Sequence, residues 1–302
     1  MAIAGTLFAG FAAPALTVAA FALGTLTAGG QDVGPFASLE QSIIGTREAE
    51  ISSSRFAVYN TVSILCSAAG AALVAAVPLE LVLWLYPLAA LVMSAGYAVL
   101  PPLPAPPALD LPAPRRFGAI EHLAALFAVD ALAGGFIVQA VIAYWFHVRF
   151  GTPLAQIGAL LAAANILSAI SFFAAAWAAK RFGLLNTMVF THLPSNVLLL
   201  LVPVMPSFAW AAALLLARFA LSQMDVPTRQ AYVMQASLPY ERARAASLTT
   251  AVRPAAAAVS PLFAGLAMQG AVIGAPFIIA GTLKIAYDLT LFLRFRKERR
   301  PT

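Results

Sequence analysis

The chain has 302 residues, 62% of them hydrophobic and only 10% charged, with a formal net charge of +6. An ordinary soluble domain carries about 25% charged residues, and no soluble core could absorb this much apolar surface. A basic chain can suit nucleic acid, but that needs bases clustered on one exposed face; here the lysines and arginines fall in short connectors between apolar runs, which is the pattern of a membrane protein.

Residues 1–13 are apolar but would form a helix of only about 20 Å against a hydrocarbon core of about 30 Å. They lack the basic leader of a signal peptide and read as the end of a helix that begins outside the chain. From Pro14 nine candidate spans follow, at 14–44, 55–77, 79–100, 119–147, 153–178, 184–204, 208–235, 245–268 and 271–293. Each is long enough to cross a bilayer at about 1.5 Å per residue. Runs of this length exclude a transmembrane barrel, whose strands alternate in polarity over about ten residues. Between the third and fourth spans, PPLPAPPALDLPAPRRFG (101–118) holds seven prolines. Proline removes helix donors and favours extended geometry, so this stretch reads as a semi-rigid linker. The expected fold class is all-α and integral to the membrane, with a partial bundle over 1–100, a linker over 101–118 and a six-helix bundle over 119–302.

Orientation follows from the basic residues. With the C-terminus placed in the cytoplasm, the inner loops and tail hold 13 Lys and Arg, the outer loops hold only Arg149, and four lie within spans. The single cysteine, Cys66, excludes an intramolecular disulfide and suits packing in an apolar run. His122, His147 and His192 lie far apart and form no metal-ligand spacing. No metal or cofactor is expected, and no convergent nucleophile or acid–base cluster suggests an enzyme. Tyr144, Trp145, Phe146 and Trp210 fall near outer ends of spans and read as interfacial belt residues.

An ionisable side chain within a span costs at least about 2.5–3.5 kcal/mol at the bilayer centre, so such residues mark a pathway by default. The groups available are Asp32 and Glu40, Asp130, Gln139, Asn165, Asn196, Asp225 and Arg229, Arg253, and Lys284 with Asp288. Asp225 and Arg229 stand four apart and share a helix face, where they can neutralise each other. Arg229 also lies about six residues, near 9 Å, from the end of its span at 235, beside the polar hinge at Pro239 to Arg244. Both a gate latch and a proton or substrate contact therefore stand open for this pair, and equally for its counterpart Asp32. Lys284 and Asp288, again four apart, are expected to pair with each other. Asp130 can face a cavity. Arg253–Pro254 combines a charge with a kink, followed by Ala255 to Ala258, small enough for close helix contact. Gln139 and Asn196 either link helices or bind solute.

The string Met224-Asp225-Val226-Pro227-Thr228-Arg229-Gln230-Ala231-Tyr232, followed by Pro239, Glu241-Arg242, Arg253 and Ser260-Pro261, resembles the tenth and eleventh helices of a bacterial major facilitator superfamily transporter. The resemblance implies twelve helices in two six-helix halves, alternating access, and movement of a small solute usually coupled to protons. Gln31-Asp32-Val33, Glu48 to Arg55 and Ser67 to Gly70 loosely repeat the order of Gln223 to Val226, Glu241 to Arg244 and Ser260 to Gly265. On that alignment the first part supplies the fourth to sixth helices, the opening residues the end of the third, and helices one and two are missing. Gate or loop roles are implied for Arg55, Lys180, Arg181, Glu241 and Arg242. Around Lys180 and Arg181, the stretch from Trp177 to Gly183 keeps a basic pair and one glycine of the family's loop signature but lacks its acid. The expected function is proton-coupled secondary transport, as efflux, in the bacterial inner membrane. The rival is a truncated, non-transporting membrane protein or assembly partner.

Overall fold

A computed structural model describes residues 37–46, 53–76, 79–99, 118–269 and 272–296. The helices among them are α1 (Ala37–Thr46), α2 (Ser53–Ala76), α3 (Leu79–Val99), α4 (Ala119–Gly135), α5 (Gln139–Phe150), α6 (Leu154–Phe182), α7 (Leu184–Leu201), α8 (Phe208–Ser222), α9 (Asp225–Ala236), α10 (Arg242–Ala258), α11 (Ser260–Met268) and α12 (Ala275–Phe295). No strand occurs among the described residues. The opening stub, Asp32 and most of the proline-rich linker lie outside them. The chain divides into two compact units, Met1–Ala37 with Ser63–Pro114, and Ser38–Val62 with Arg115–Thr302.

In the first unit, α3 and the C-terminal part of α2 answer the expected third and second spans. Leu81, Trp84, Leu88, Leu91 and Val92 on α3 are exposed, as lipid-facing side chains are. Cys66 on α2 is exposed too, which corrects the expected packing role: a small apolar side chain in a bilayer need not face a neighbouring helix.

The second unit holds six stretches long and apolar enough to cross a membrane: Ala119–Phe150, Leu154–Phe182, Leu184–Val204, Phe208–Ala236, Arg242–Met268 and Ala275–Phe295. They are the six expected after the linker, and the chain is a multi-pass helical membrane protein. The hinge is shorter than its polarity suggests. A single 3-10 turn, Pro239–Glu241, precedes α10, so Arg242 and Arg244 start a helix rather than fill a loop.

Three of these stretches are interrupted within their length. Pro227 cannot donate to the Gln223 carbonyl, and its ring crowds that group, so α8 and α9 are separated at Gln223–Met224. Pro261 likewise leaves the Ala257 carbonyl without its helical donor, and α10 ends at Ala258. The third break follows Gly134–Gly135, where Phe136 and Ile137 donate to Ala133 and Gly134 in a tight turn. The last two breaks meet. A Cβ at Gly135 would fall 2.6 Å from Ser260 Cβ and 2.7 Å from the Ala257 oxygen, so only glycine allows α4 to lie this close to the α10–α11 junction. Ser260 Oγ fastens the contact by donating to the Leu132 carbonyl at 2.7 Å.

Two apolar clusters hold the unit together, and they occupy opposite ends of five of the six spans; Leu154–Phe182 joins only the first of them. One gathers Ile142, Trp145, Phe146, Leu199, Leu215, Ala264 and Phe277. The other gathers Phe56, Leu123, Phe127, Met188, Met234, Ala245, Tyr287 and Leu291. Trp145 and Phe146 are fully buried here, against Phe150, Phe208 and Phe277. That corrects their expected place in the interfacial belt, whereas Tyr144 and Trp210 are exposed. A residue's distance from the end of a span does not say which side of the helix it occupies.

Candidate functional site

Between the two clusters runs a polar layer. On α4, Asp130 follows Phe127 of one cluster and precedes Phe136 of the other; on α7, His192 and Asn196 separate Val189 from Leu199. Asp225 and Arg229 lie between Phe219 and Ala231, Arg253 between Ala246 and Ala264, and Lys284 between Ala280 and Tyr287. Asp130 is about 16 Å along its span by helix rise, near the middle of a hydrocarbon core. The layer is thus set at mid-depth by sequence position alone, and the helices turn its side chains inward.

Asp130 is the hub. Its Oδ1 accepts from Lys284 Nζ at 2.5 Å and its Oδ2 from Arg253 Nη1 at 3.0 Å. Arg229 Nη1 stands 3.9 Å from Oδ2, and His192 Nε2 stands 3.9 Å from Oδ1. A carboxylate so placed lies at close range to opposite charge and accepts charge-assisted hydrogen bonds on both oxygens. Asp225 takes a hydrogen bond from Arg229 of the same helix, the pair that their spacing requires. Asp288 faces different partners, His192 Nδ1 at 2.8 Å from Oδ1 and Asn196 Nδ2 at 2.8 Å from Oδ2.

The expected Lys284–Asp288 pair does not form. Both residues point inward from α12, but Lys284 reaches across to α4 and Asp288 to α7. A partner on a facing helix, held by tertiary packing, displaces the neighbour one turn away. His192 is a site residue that sequence reasoning passed over, because a lone histidine in an apolar run carries no periodic signal. Tyr287, beside it at 6.1 Å between ring centroids, was missed for the same reason.

The remaining candidates lie apart from this network. Gln139 donates to Asn165 at 3.2 Å and links α5 to α6. Lys180 and Arg181 are exposed in the last turn of α6, where the helix dipole favours cations. Arg55 lies in the first turn of α2, and Glu40 on α1 accepts from the Tyr59 hydroxyl at 2.5 Å. Contacts from α1 and α2 to the hinge region come from neighbours of the Asp225–Arg229 pair. Asn60 donates to Gln230 at 2.6 Å, and Arg242 donates to the Gly45 carbonyl at 2.9 Å, while Glu241 is half-buried beside it. Arg229 itself turns toward Asp130 and not toward these contacts.

Six membrane-length stretches surround a buried ion network, with proline-interrupted helices at their middle, and form an integral-membrane helical bundle whose fold is similar to that of two solved structures of the major facilitator type. No family model matches the chain. The structure superposes on the human organic anion transporter MFSD10 (TETRAN) with a TM-score of 0.79 and 19% identity, covering 96% of this chain and 74% of that one. It superposes on a bacterial homologue of the iron transporter ferroportin, in its outward-facing state, with a TM-score of 0.67 and 15% identity, over 87% and 70% of the two chains. In sequence it is 25% identical over 177 residues to the uncharacterized membrane protein YJR124C of Saccharomyces cerevisiae, a stretch that is 58% of this chain and 40% of the yeast protein.

Proposed function

We propose that the chain is a secondary transporter that moves a small solute across a lipid bilayer by alternating access, with protons exchanged at the polar layer. One observation carries this: three cations and three carboxylates from α4, α9, α10 and α12 converge at mid-depth, joined by His192 and Asn196 of α7. Apolar side chains of similar volume would pack as well or better there, so charges kept at this depth fit movement of ions or solute. The two superposed structures are both titled as transporters or their homologues, which supports the same class.

The arrangement suggests how proton and solute are coupled. Among the described residues, the Asp225 carboxylate takes its side-chain hydrogen bond from Arg229. Protonation of Asp225 releases Arg229, whose nearest other acceptor is Asp130 at 3.9 Å. Asp130 then shares its oxygens among three cations from α9, α10 and α12, and the ties between those helices loosen together. The basic-residue distribution supports a cytoplasmic C-terminus, and on the family resemblance we assign proton-driven efflux across a bacterial inner membrane.

The test is flux in proteoliposomes holding the full chain, with an imposed pH gradient and a panel of radiolabelled organic acids and amines. Asp225→Asn, the substitution that disturbs the fewest partners, is expected to abolish the dependence of flux on the gradient. Flux that keeps its full pH dependence in this variant rejects the proton role, and absence of gradient-driven flux for every solute in wild type rejects transport.

A further inference from the structure

The three cations of the layer are matched, Arg229 by Asp225, and Lys284 and Arg253 by Asp130. A further buried cation, Arg218 on α8, lies just outside the layer, between Leu215 and Phe219 of the first cluster, and forms no such pair. It is 5% exposed, yet among the described residues no carboxylate stands within ion-pair distance and no acceptor takes a hydrogen bond from it. Its marked contact is the ring of its neighbour Phe219, 5.1 Å from the guanidinium carbon. The remaining carboxylate, Asp288, is engaged by His192 and Asn196. Among the described residues no Lys or Arg is paired with it, and none of the three carboxylates is paired with Arg218.

A second unmatched donor lies beside the first. Ala211, Leu215, Arg218 and Ser222 follow a spacing of four, three and four, which puts them on one side of α8, and all four are buried. The Ser222 hydroxyl is sealed from solvent and has no hydrogen-bond partner. Arg218 Nε is sealed and unpartnered as well. A buried guanidinium and a buried hydroxyl left without acceptors, one turn apart on one face, are a standing demand for an anion. The planar fork of a guanidinium matches two oxygens of a carboxylate, sulfonate or phosphate side by side, and the hydroxyl supplies a third donor.

We propose that Arg218 and Ser222 form the binding site for an oxyanion group and that the solute is a small organic anion whose charge offsets that of Arg218. This rests on the transport reading for the solute's passage, while the site itself depends on Arg218. Organic cations are disfavoured by the positive charge of Arg218.

The probes are benzoate, benzenesulfonate and phenyl phosphate, with benzylammonium as the cationic control. Each is titrated against the purified full chain in phosphatidylcholine nanodiscs, and binding is read from thermal unfolding followed by tryptophan fluorescence. At least one anion is expected to raise the unfolding temperature, and benzylammonium is not. Affinity is expected to fall at least about tenfold in Arg218→Met, the loss of a hydrogen bond to a charged group, and by less in Arg218→Lys and Ser222→Ala. Wild-type affinity in a folded Arg218→Met protein overturns the site, as does equal binding of benzylammonium. Should Arg218→Met not fold, wild-type affinity in both Arg218→Lys and Ser222→Ala overturns it.

A lipid headgroup offers the same oxyanion chemistry, so the titration is repeated with phosphatidylglycerol in the disc. Arg218-dependent stabilisation by that lipid, with no response to any soluble anion, places a headgroup at the site and overturns the solute claim. Anion binding through Arg218 without gradient-driven flux of any bound anion or any other panel solute in proteoliposomes refutes the transport reading and leaves the site. Gradient-driven flux of amines alone, with no anion bound, refutes the site and leaves transport.

Discussion

Lys284 donates to the Asp130 carboxylate at 2.5 Å, so the last described helix is tied to the first helix of the six-span unit through its buried middle. Asp130 also holds Arg253, and neutralising Asp130 strands both cations. Breaking a buried pair by removing one partner costs roughly 3–5 kcal/mol. Asp130→Asn is therefore expected to lower the stability of the detergent-solubilised protein by about that amount in chemical denaturation. Asp130→Asn combined with Lys284→Met should cost less than the sum of the two single changes. Strict additivity would show that the two side chains do not interact.

His192 bridges α7 and α12 through Asp288, and Asn196 holds the other oxygen of the same carboxylate. His192→Phe leaves Asp288 with one donor and is expected to cost about 1.5–3 kcal/mol. His192→Gln can still donate and should recover part of it. Equal losses in the two variants would mean that ring packing against Tyr287, and not the hydrogen bond, is what His192 contributes.

Two glycines give opposite expectations. Gly135→Ala places its Cβ 2.6 Å from Ser260 Cβ and 2.7 Å from a backbone oxygen, a clash that only backbone movement relieves. It should destabilise the protein by about 1–3 kcal/mol, the range for overpacking. Gly158, exposed on α6, has nothing within 4 Å of the same position. Gly158→Ala should be neutral or stabilising by up to about 1 kcal/mol. Melting temperatures of the two variants in one detergent decide the matter.

Membrane orientation is checked by labelling. In a Cys66→Ser background, a cysteine replacing Arg181 is expected to react with an impermeant maleimide only from the cytoplasmic face, and one replacing Arg149 only from the opposite face. Both labelled from one side would show that an odd number of crossings does not separate them.

The six spans of the second unit were legible because length and polarity are properties of a single helix, and the described boundaries fall within four residues of those expected. The Asp225–Arg229 pair was legible for the same reason, since spacing of four places both groups on one face. Small residues after Arg253 also signalled a close approach, realised where Ala257 meets Gly135. Partners on different helices were not legible. Lys284 has an acid four residues away and another 154 residues away, and it chose the distant one. Asp288 and His192, 96 residues apart, gave no hint of each other. Periodicity reports which face a residue occupies, while the partner across a helix interface is decided by how the helices stack.

The long sequence separation within the Asp130–Lys284 pair has a further consequence during synthesis. A ribosome adding about 5–20 residues each second reaches Lys284 roughly 8 to 30 seconds after Asp130. For that interval the nascent carboxylate has no counter-ion from the last helix. It must be sheltered in the insertion machinery, or be neutralised by Arg229 and Arg253 as they emerge. Chains stalled or cut before α9 would carry that acid at the heart of the membrane without any of its lysine and arginine partners, a defect that finished copies lack.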